Sequence, residues 1–223
     1  MITHVLFDLD GTLTDPYPGI TRSIRHALDG LGRPASRDDD LGWCIGPPLR
    51  QSFAILLETD DGALLDDALA RYRERFGDVG MYENEVYDGV PEMLEKVRYA
   101  GLAMFVATSK PHVFAKPIVE HFRLDGFFQA VWGPELSGEH TEKAELLQSG
   151  LVTHGLDAGT AIMIGDRRHD VDGAKANGIR SLAVTYGYGN IAELQAAGPD
   201  HICETPADVT KTILRLSAGQ TRK

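Results

Sequence analysis

The stretch Phe7-Asp8-Leu9-Asp10-Gly11-Thr12-Leu13-Thr14-Asp15, entered through the apolar run His4-Val5-Leu6, decides how the chain reads. Alternate residues of a strand point to the same face, so Asp8 and Asp10 can project toward one pocket. Gly11 lets the chain turn sharply and bring backbone N–H groups close to a ligand. Ligands of open α/β sheets bind beyond the carboxyl ends of the strands, which is where this pair falls. An Asp-X-Asp taken alone is more often a solvated acidic turn. The full string is more specific than that.

A second acidic string has the same setting. Gly165-Asp166-Arg167-Arg168-His169-Asp170 follows the apolar run Ala161-Ile162-Met163-Ile164, so two more carboxylates arrive at a strand end. Asp170 reads either as part of a site or as the cap of a helix beginning at Val171, and one residue can do both. Carboxylates converging on one pocket repel each other and repel phosphate. A hard divalent cation with oxygen ligands resolves both conflicts, and Mg²⁺ suits phosphate chemistry best.

Working outward, apolar runs at 4–10, 103–109, 128–132, 161–166 and 181–186 read as buried strands. From the second run onward they alternate with helical patterns at 91–100, 112–122, 141–151 and 171–177. Such alternation predicts an α/β fold with a Rossmann-like parallel sheet covered on both faces. The segment from Asp15 to Tyr87 breaks the pattern. Ile20, Ile24, Leu28 and Leu31 recur at helical spacing, as do Leu65, Leu69, Tyr72 and Phe76, and Leu49, Phe53 and Leu56 mark a further helix after Pro47-Pro48. The expected organisation is a core of 1–14 with 88–223, and a small all-helical cap of 15–87 inserted after the first strand. The tail after Ser217 reads as frayed.

Bulk properties narrow the function. At 43% hydrophobic and 25% charged residues the composition is that of a soluble globular protein. A net charge of −11 disfavours nucleic acid or anionic membrane as partner. An enzyme for phosphate esters would then need a local source of cations. The start of the chain lacks the pattern of a signal peptide, and no apolar run is long enough to span a bilayer. Cys44 and Cys203 form neither a zinc spacing nor a disulfide framework, so a cytoplasmic setting is expected.

Two quieter residues complete the pattern. Thr108, at the end of the second strand, offers a hydroxyl and neighbouring N–H groups to a phosphate oxygen, and Lys143, opening a helix, offers an ammonium. Taken singly, each would be read as structural. The ordered set Asp8-X-Asp10-X-Thr12, Thr108-Ser109, Lys143 and Gly165-Asp166 with Asp170 resembles the four motifs of haloacid-dehalogenase-superfamily phosphatases. The helical insertion looks like that superfamily's first-type cap. Ile45-Gly46-Pro47-Pro48-Leu49, Ala107-Thr108-Ser109-Lys110-Pro111 and Gly187-Tyr188-Gly189 resemble the phosphoglycolate-phosphatase-like branch, some of whose members are labelled nucleotidases.

The resemblance implies a mechanism, residue by residue. Asp8 attacks phosphorus and becomes an aspartyl-phosphate. Asp10 protonates the leaving alcohol and then takes a proton from water. Thr108 and Lys143 neutralise the phosphoryl oxygens. Mg²⁺ is held by the Asp8 carboxylate, the Asp10 carbonyl and Asp166, with Asp170 on the ion or beside it. Gly11, Ser109, Lys110 and, from the cap, Arg50 are candidates for substrate contact, with Arg50 able to grip a carboxylate or second phosphate. Dehalogenases and phosphonatases of this fold lack an aspartate at the position of Asp10, so a phosphate ester of a poor leaving group is expected. The expected substrate is a small phosphorylated metabolite, phosphoglycolate-like or a nucleoside monophosphate, handled by a monomer or homodimer.

Two other readings compete. A phosphomutase would share the aspartyl-phosphate but return the phosphoryl group to a sugar. A non-catalytic phosphate-binding regulatory module would keep the pocket without turnover. The eight histidines show no ligand spacing, and no Gly-X-X-X-X-Gly-Lys-Ser/Thr loop is present. Gly187-Tyr188-Gly189 lacks the third glycine of a dinucleotide fingerprint and reads as a loop-shaping element near the site.

Overall fold

A computed structural model describes residues 1–36, 40–136 and 142–219. In chain order, strand β1 (His4–Phe7) leads to the two-residue strand β2 (Thr14–Asp15) and to helices α1 (Tyr17–Gly30), α2 (Leu49–Leu57) and α3 (Gly62–Asp78). The chain returns through β3 (Glu85–Val86) and continues as α4 (Val90–Tyr99), β4 (Ala103–Ala107), α5 (His112–His121) and β5 (Ala130–Trp132). It ends with α6 (Lys143–His154), β6 (Ala161–Gly165), α7 (Arg168–Ala176), β7 (Arg180–Val184), α8 (Ile191–Ala197), β8 (His201–Cys203) and α9 (Pro206–Ser217). Of the expected helix at 141–151, Thr141 lies outside the described residues, as does the end of the tail from 220 on. No helix among the described residues is long and apolar enough to cross a membrane.

Two compact units result, one of Met1–Thr14 with Val86–Lys223 and one of Asp15–Glu85. The first holds a six-stranded sheet in the order β5-β4-β1-β6-β7-β8, with every neighbouring pair parallel. The α/β expectation therefore holds. The expected strand at 4–10 is cut short at Phe7, and the chain turns beyond it, where the Leu13 and Thr14 N–H groups both donate to the Leu9 carbonyl. The sequence reading also missed β8. That strand has three residues, follows Pro199-Asp200, and leaves Ile202 exposed at the sheet edge, so it carries no apolar run to detect.

Parallel sheets must be covered on both faces, and the strand interiors obey this. Leu6, Phe105 and Met163 share a register and pack with Trp132, Leu146, Leu147 and Leu151 in one apolar cluster that seats α6 against the sheet. Val5, Phe7, Val106 and Ile164 point to the other face and are equally buried. Each such side chain contributes on the order of 1.5–3 kcal/mol through removal from water. Met104, Met163 and Trp132 are core residues, as their strand positions suggested.

The second unit is helical. Ile20, Ile24 and Leu28 of α1 and Leu65, Tyr72 and Phe76 of α3 are buried as the spacing indicated, Leu31 and Leu69 are only half-buried, Ala27 and Ala68 are buried beside them, and the two helices pack together. Tyr72 stacks on Phe76 with ring centroids 5.2 Å apart, and Phe53 of α2 meets Tyr72 edge-on at 6.3 Å. Asp61 caps α3 by accepting the Ala63 N–H at 2.9 Å. Glu83 accepts hydrogen bonds from Arg22 and from both terminal nitrogens of Arg75 at 2.8–3.2 Å.

Candidate active site

Strand order brings the chemistry to one edge. β1 lies between β4 and β6, with Phe7 level with both Val106 and Ile164. The Asp8 N–H donates to the Ile164 carbonyl at 2.8 Å, which holds Asp8 at the end of the ladder. Thr108 follows β4 and Asp166 follows β6, so both leave the sheet beside Asp8. Lys143 opens α6, and Asp170 lies in the first turn of α7. This is the crevice where successive connections depart to opposite sides of β1, the usual position for a ligand in such sheets.

Lys143 is the hub. Its ammonium lies 3.0 Å from Asp8 Oδ1, 2.7 Å from Asp170 Oδ1 and 2.9 Å from the Ala107 carbonyl, and it is buried. Burial alone would lower its pKa, but the charges of Asp170 and Asp8 outweigh this and raise it. Asp170 takes the Arg167 N–H on Oδ2 at 3.1 Å while Oδ1 faces Lys143. The capping reading of Asp170 holds with one correction: the helix starts at Arg168, so Asp170 caps from inside its first turn. His169 is on the same turn and half-buried.

Asp10 has its own cation. Lys110 Nζ sits 2.8 Å from Asp10 Oδ2, and both side chains are largely buried. Burial raises the Asp10 pKa, and Lys110 opposes the rise. Lys110 thus meets a carboxylate here, a pairing that sequence distance concealed. Thr108 is buried, its own N–H is committed to the Trp132 carbonyl at 3.0 Å, and its Oγ1 accepts the Lys110 N–H at 3.2 Å. The Thr108 N–H is therefore not available to a ligand, and Ser109 beside it is exposed. Gly11 has φ +80°, and a Cβ there would fall 2.2 Å from Asp166 Oδ2. Arg50 belongs to the helical unit, where its guanidinium is held by the Asp66 carboxylate and by the Gly62 carbonyl at 3.4 Å.

The donors fit a divalent cation. Asp8, Asp166 and Asp170 each offer a carboxylate oxygen, and these atoms lie within 4.8 Å of one another. Asp166 Oδ1 is buried without a hydrogen-bond partner, while Oδ2 accepts the Tyr188 N–H at 2.7 Å. Burial, then the charges of Asp170 and Asp8, push the Asp166 pKa well above the ordinary carboxylate range. Burial likewise pushes Asp170 up to about 6, against the pull of Lys143. An all-oxygen set of this kind suits a hard cation.

Residues that the sequence reading passed over also reach the site. Tyr186 donates its hydroxyl to the Thr12 carbonyl at 3.1 Å and meets Tyr87 edge-on at 5.2 Å. Glu193 of α8 accepts the Arg167 side chain and the Arg168 N–H, each at 3.0 Å, tying α8 to the start of α7. Only the Gly187-Tyr188-Gly189 string hinted at this region.

Comparison with known proteins places the chain in context. The family model for haloacid dehalogenase-like hydrolases matches residues 5–184. A 5'-nucleotidase of Pseudomonas aeruginosa is 48% identical over 200 residues, covering 90% of each chain. A phosphoglycolate phosphatase of Aliivibrio fischeri is 29% identical over 211 residues, covering 91% of this chain and 92% of that one. The crystal structure of a predicted phosphatase from Clostridium acetobutylicum superposes with a TM-score of 0.92 at 39% identity, covering 96% of this chain and 99% of that one.

Proposed function

This chain belongs to the haloacid dehalogenase-like hydrolase family and is a phosphatase, and from that premise we propose that it hydrolyses small phosphate monoesters through a phosphorylated Asp8, with Mg²⁺ as its metal. One observation carries the reading: a buried lysine and three clustered carboxylates occupy the sheet edge where the acidic strings end.

Lys143 holds Asp8 Oδ1, so Oδ2 is the oxygen offered to phosphorus. Its lone pair forms the new O–P bond as the ester O–P bond breaks. Asp10, whose pKa burial raises against the pull of Lys110, gives its proton to the departing alkoxide. Asp10, now ionised and paired with Lys110, removes a proton from the water that attacks the phospho-aspartate. The second displacement frees inorganic phosphate and restores the Asp8 carboxylate. Lys143, the Thr108 hydroxyl and the Ser109 N–H would stabilise the phosphoryl oxygens. Asp8, Asp166 and Asp170 would hold the Mg²⁺, which supplies charge neutralisation between the carboxylates and the phosphoryl group.

Within the small monoesters, nucleoside 5'-monophosphates are the first candidates, because the relative named 5'-nucleotidase shares 48% of residues over 90% of this chain. Phosphoglycolate stands second. The test is phosphate release from a panel of both classes and sugar phosphates, with Mg²⁺ or EDTA. Mg²⁺-dependent release with a nucleotide preference supports the reading. Interconversion of sugar phosphates without net release would assign a mutase, and binding without turnover a regulatory module.

A further inference from the structure

After β7 the chain passes through Thr185, Tyr186, Gly187, Tyr188 and Gly189 before α8 begins. We propose that the 186–189 segment is a positioning element that offers a single oxygen of Asp166 to the metal and pins the 11–12 turn beside it, a role that rests on Asp166 being a metal ligand as proposed above.

Three contacts define the element. The Tyr188 N–H occupies Asp166 Oδ2 at 2.7 Å, while Oδ1 stays buried and unpartnered. A short hydrogen bond to one oxygen fixes rotation of the carboxylate and leaves Oδ1 to coordinate. Gly187 and Gly189 make the approach possible. A Cβ on Gly187 would lie 2.2 Å from the Gly11 carbonyl oxygen and 2.5 Å from the Asp166 side chain, and one on Gly189 would lie 1.9 Å from the Asp166 carbonyl oxygen. Tyr186 closes the arrangement from the other side, its hydroxyl on the Thr12 carbonyl at 3.1 Å. The backbone that follows Asp10 and the side chain of Asp166 are therefore gripped by the same few residues.

Asp166 is the ligand for which this matters most. Asp8 and Asp170 are already oriented and neutralised by Lys143. Asp166 takes no such ion pair among the described residues, and its orientation comes from the 186–189 backbone. Groups that orient a metal ligand typically change metal affinity about 10–100-fold when altered.

The test is calorimetric titration of metal-stripped, full-length protein with MgCl₂ alone, for wild type, Gly187→Ala, Tyr186→Phe and Asp166→Asn. Melting curves and the Mg²⁺ dependence of phosphate release accompany it. Gly187→Ala is expected to weaken Mg²⁺ binding by about 10-fold or more, and Tyr186→Phe by a smaller factor of about 3. The lost rate returns at saturating Mg²⁺, which a merely structural defect would not allow. A folded Gly187→Ala protein that binds Mg²⁺ within about twofold of wild type, while Asp166→Asn does not bind, overturns the positioning role and leaves the metal site standing. If Gly187→Ala does not fold, Tyr186→Phe decides by the same criterion, since it keeps the ring against Tyr87 and loses only the hydroxyl. Unchanged Mg²⁺ binding by Asp166→Asn would remove the metal reading itself, and this role with it.

Discussion

Lys143 and Asp8 stand 135 positions apart in the chain, yet the lysine ammonium donates to Asp8 Oδ1 at 3.0 Å inside the protein. The pair orients the proposed nucleophile before any ligand arrives. It also gives an acidic protein a buried cation beside the proposed nucleophile. Asp8→Asn keeps the shape of this contact and removes the charged nucleophile. The variant is expected to fold as wild type by circular dichroism and to lose on the order of 10⁴-fold or more in kcat. A folded Asp8→Asn enzyme with full phosphate release would end the proposed mechanism.

Lys143→Met leaves Asp8 and Asp170 buried without their shared cation. Breaking a buried ion pair costs about 3–5 kcal/mol, reduced here to the extent that Asp170 takes up a proton. Urea denaturation in EDTA should register the loss, and added Mg²⁺ should recover part of it. Equal stability of the two proteins in EDTA would contradict the hub role.

Asp10→Asn removes the proposed acid and base together, with an expected loss of about 10²–10⁴-fold on an alkyl phosphate. With p-nitrophenyl phosphate the leaving group needs no acid, so only the second step should suffer. Rapid mixing should then record a burst of about one nitrophenolate per enzyme, followed by slow turnover. Equal impairment of burst and steady state would argue against a separate base-catalysed step.

Metal binding should weaken in mild acid. Asp170, pushed up to about 6, and Asp166, pushed well above the ordinary carboxylate range, are raised in the folded protein by burial. A raised folded-state pKa contributes stability below the unfolded value, and that contribution is lost as pH rises through the folded value. Metal-free protein therefore gains stability from these groups as pH falls from 7 toward 5, while Mg²⁺ must displace their protons. The rise in Tm produced by Mg²⁺ should be large at pH 7.5 and small at pH 5. An equal rise at both would show that the carboxylates do not titrate with the metal.

Glu83 offers a test away from the site. Hydrogen bonds from Arg75, joined by Arg22 and opposed by burial, lower its pKa. A lowered folded-state pKa gives stability present above the unfolded value of about 4.3 and lost as pH falls through the folded value. Glu83→Gln should cost about 1 kcal/mol at pH 7, and the difference should fade as pH falls through the lowered folded-state pKa. A cost that persists unchanged in acid would point to packing as its source.

Much of this was readable from the chain because the signals are local. The apolar runs and the acids closing the first and fourth of them are contiguous, and the helical stripe of Ile20, Ile24 and Leu28 is periodic. What escaped is what depends on distant partners. Lys110 pairs with Asp10 across a hundred residues of intervening chain, and Arg50 is absorbed by Asp66. The Thr108 N–H is spent on the Trp132 carbonyl, which only strand order reveals. β8 failed for another reason, because a short edge strand with an exposed Ile202 carries too little apolar pattern.

The central place of β1 has a consequence for synthesis. His4 and the residues after it wait for partners that begin at Ala103 on one side and Ala161 on the other. Strand β1 therefore emerges long before both of its partners and is fully paired late, and loop closure over such spans is slow. Until then its apolar residues are an aggregation hazard, the kind of surface a chaperone shields. The same delay keeps Asp8 away from Lys143 and Asp170, so a nascent chain carries the nucleophile long before it holds anything that could use it.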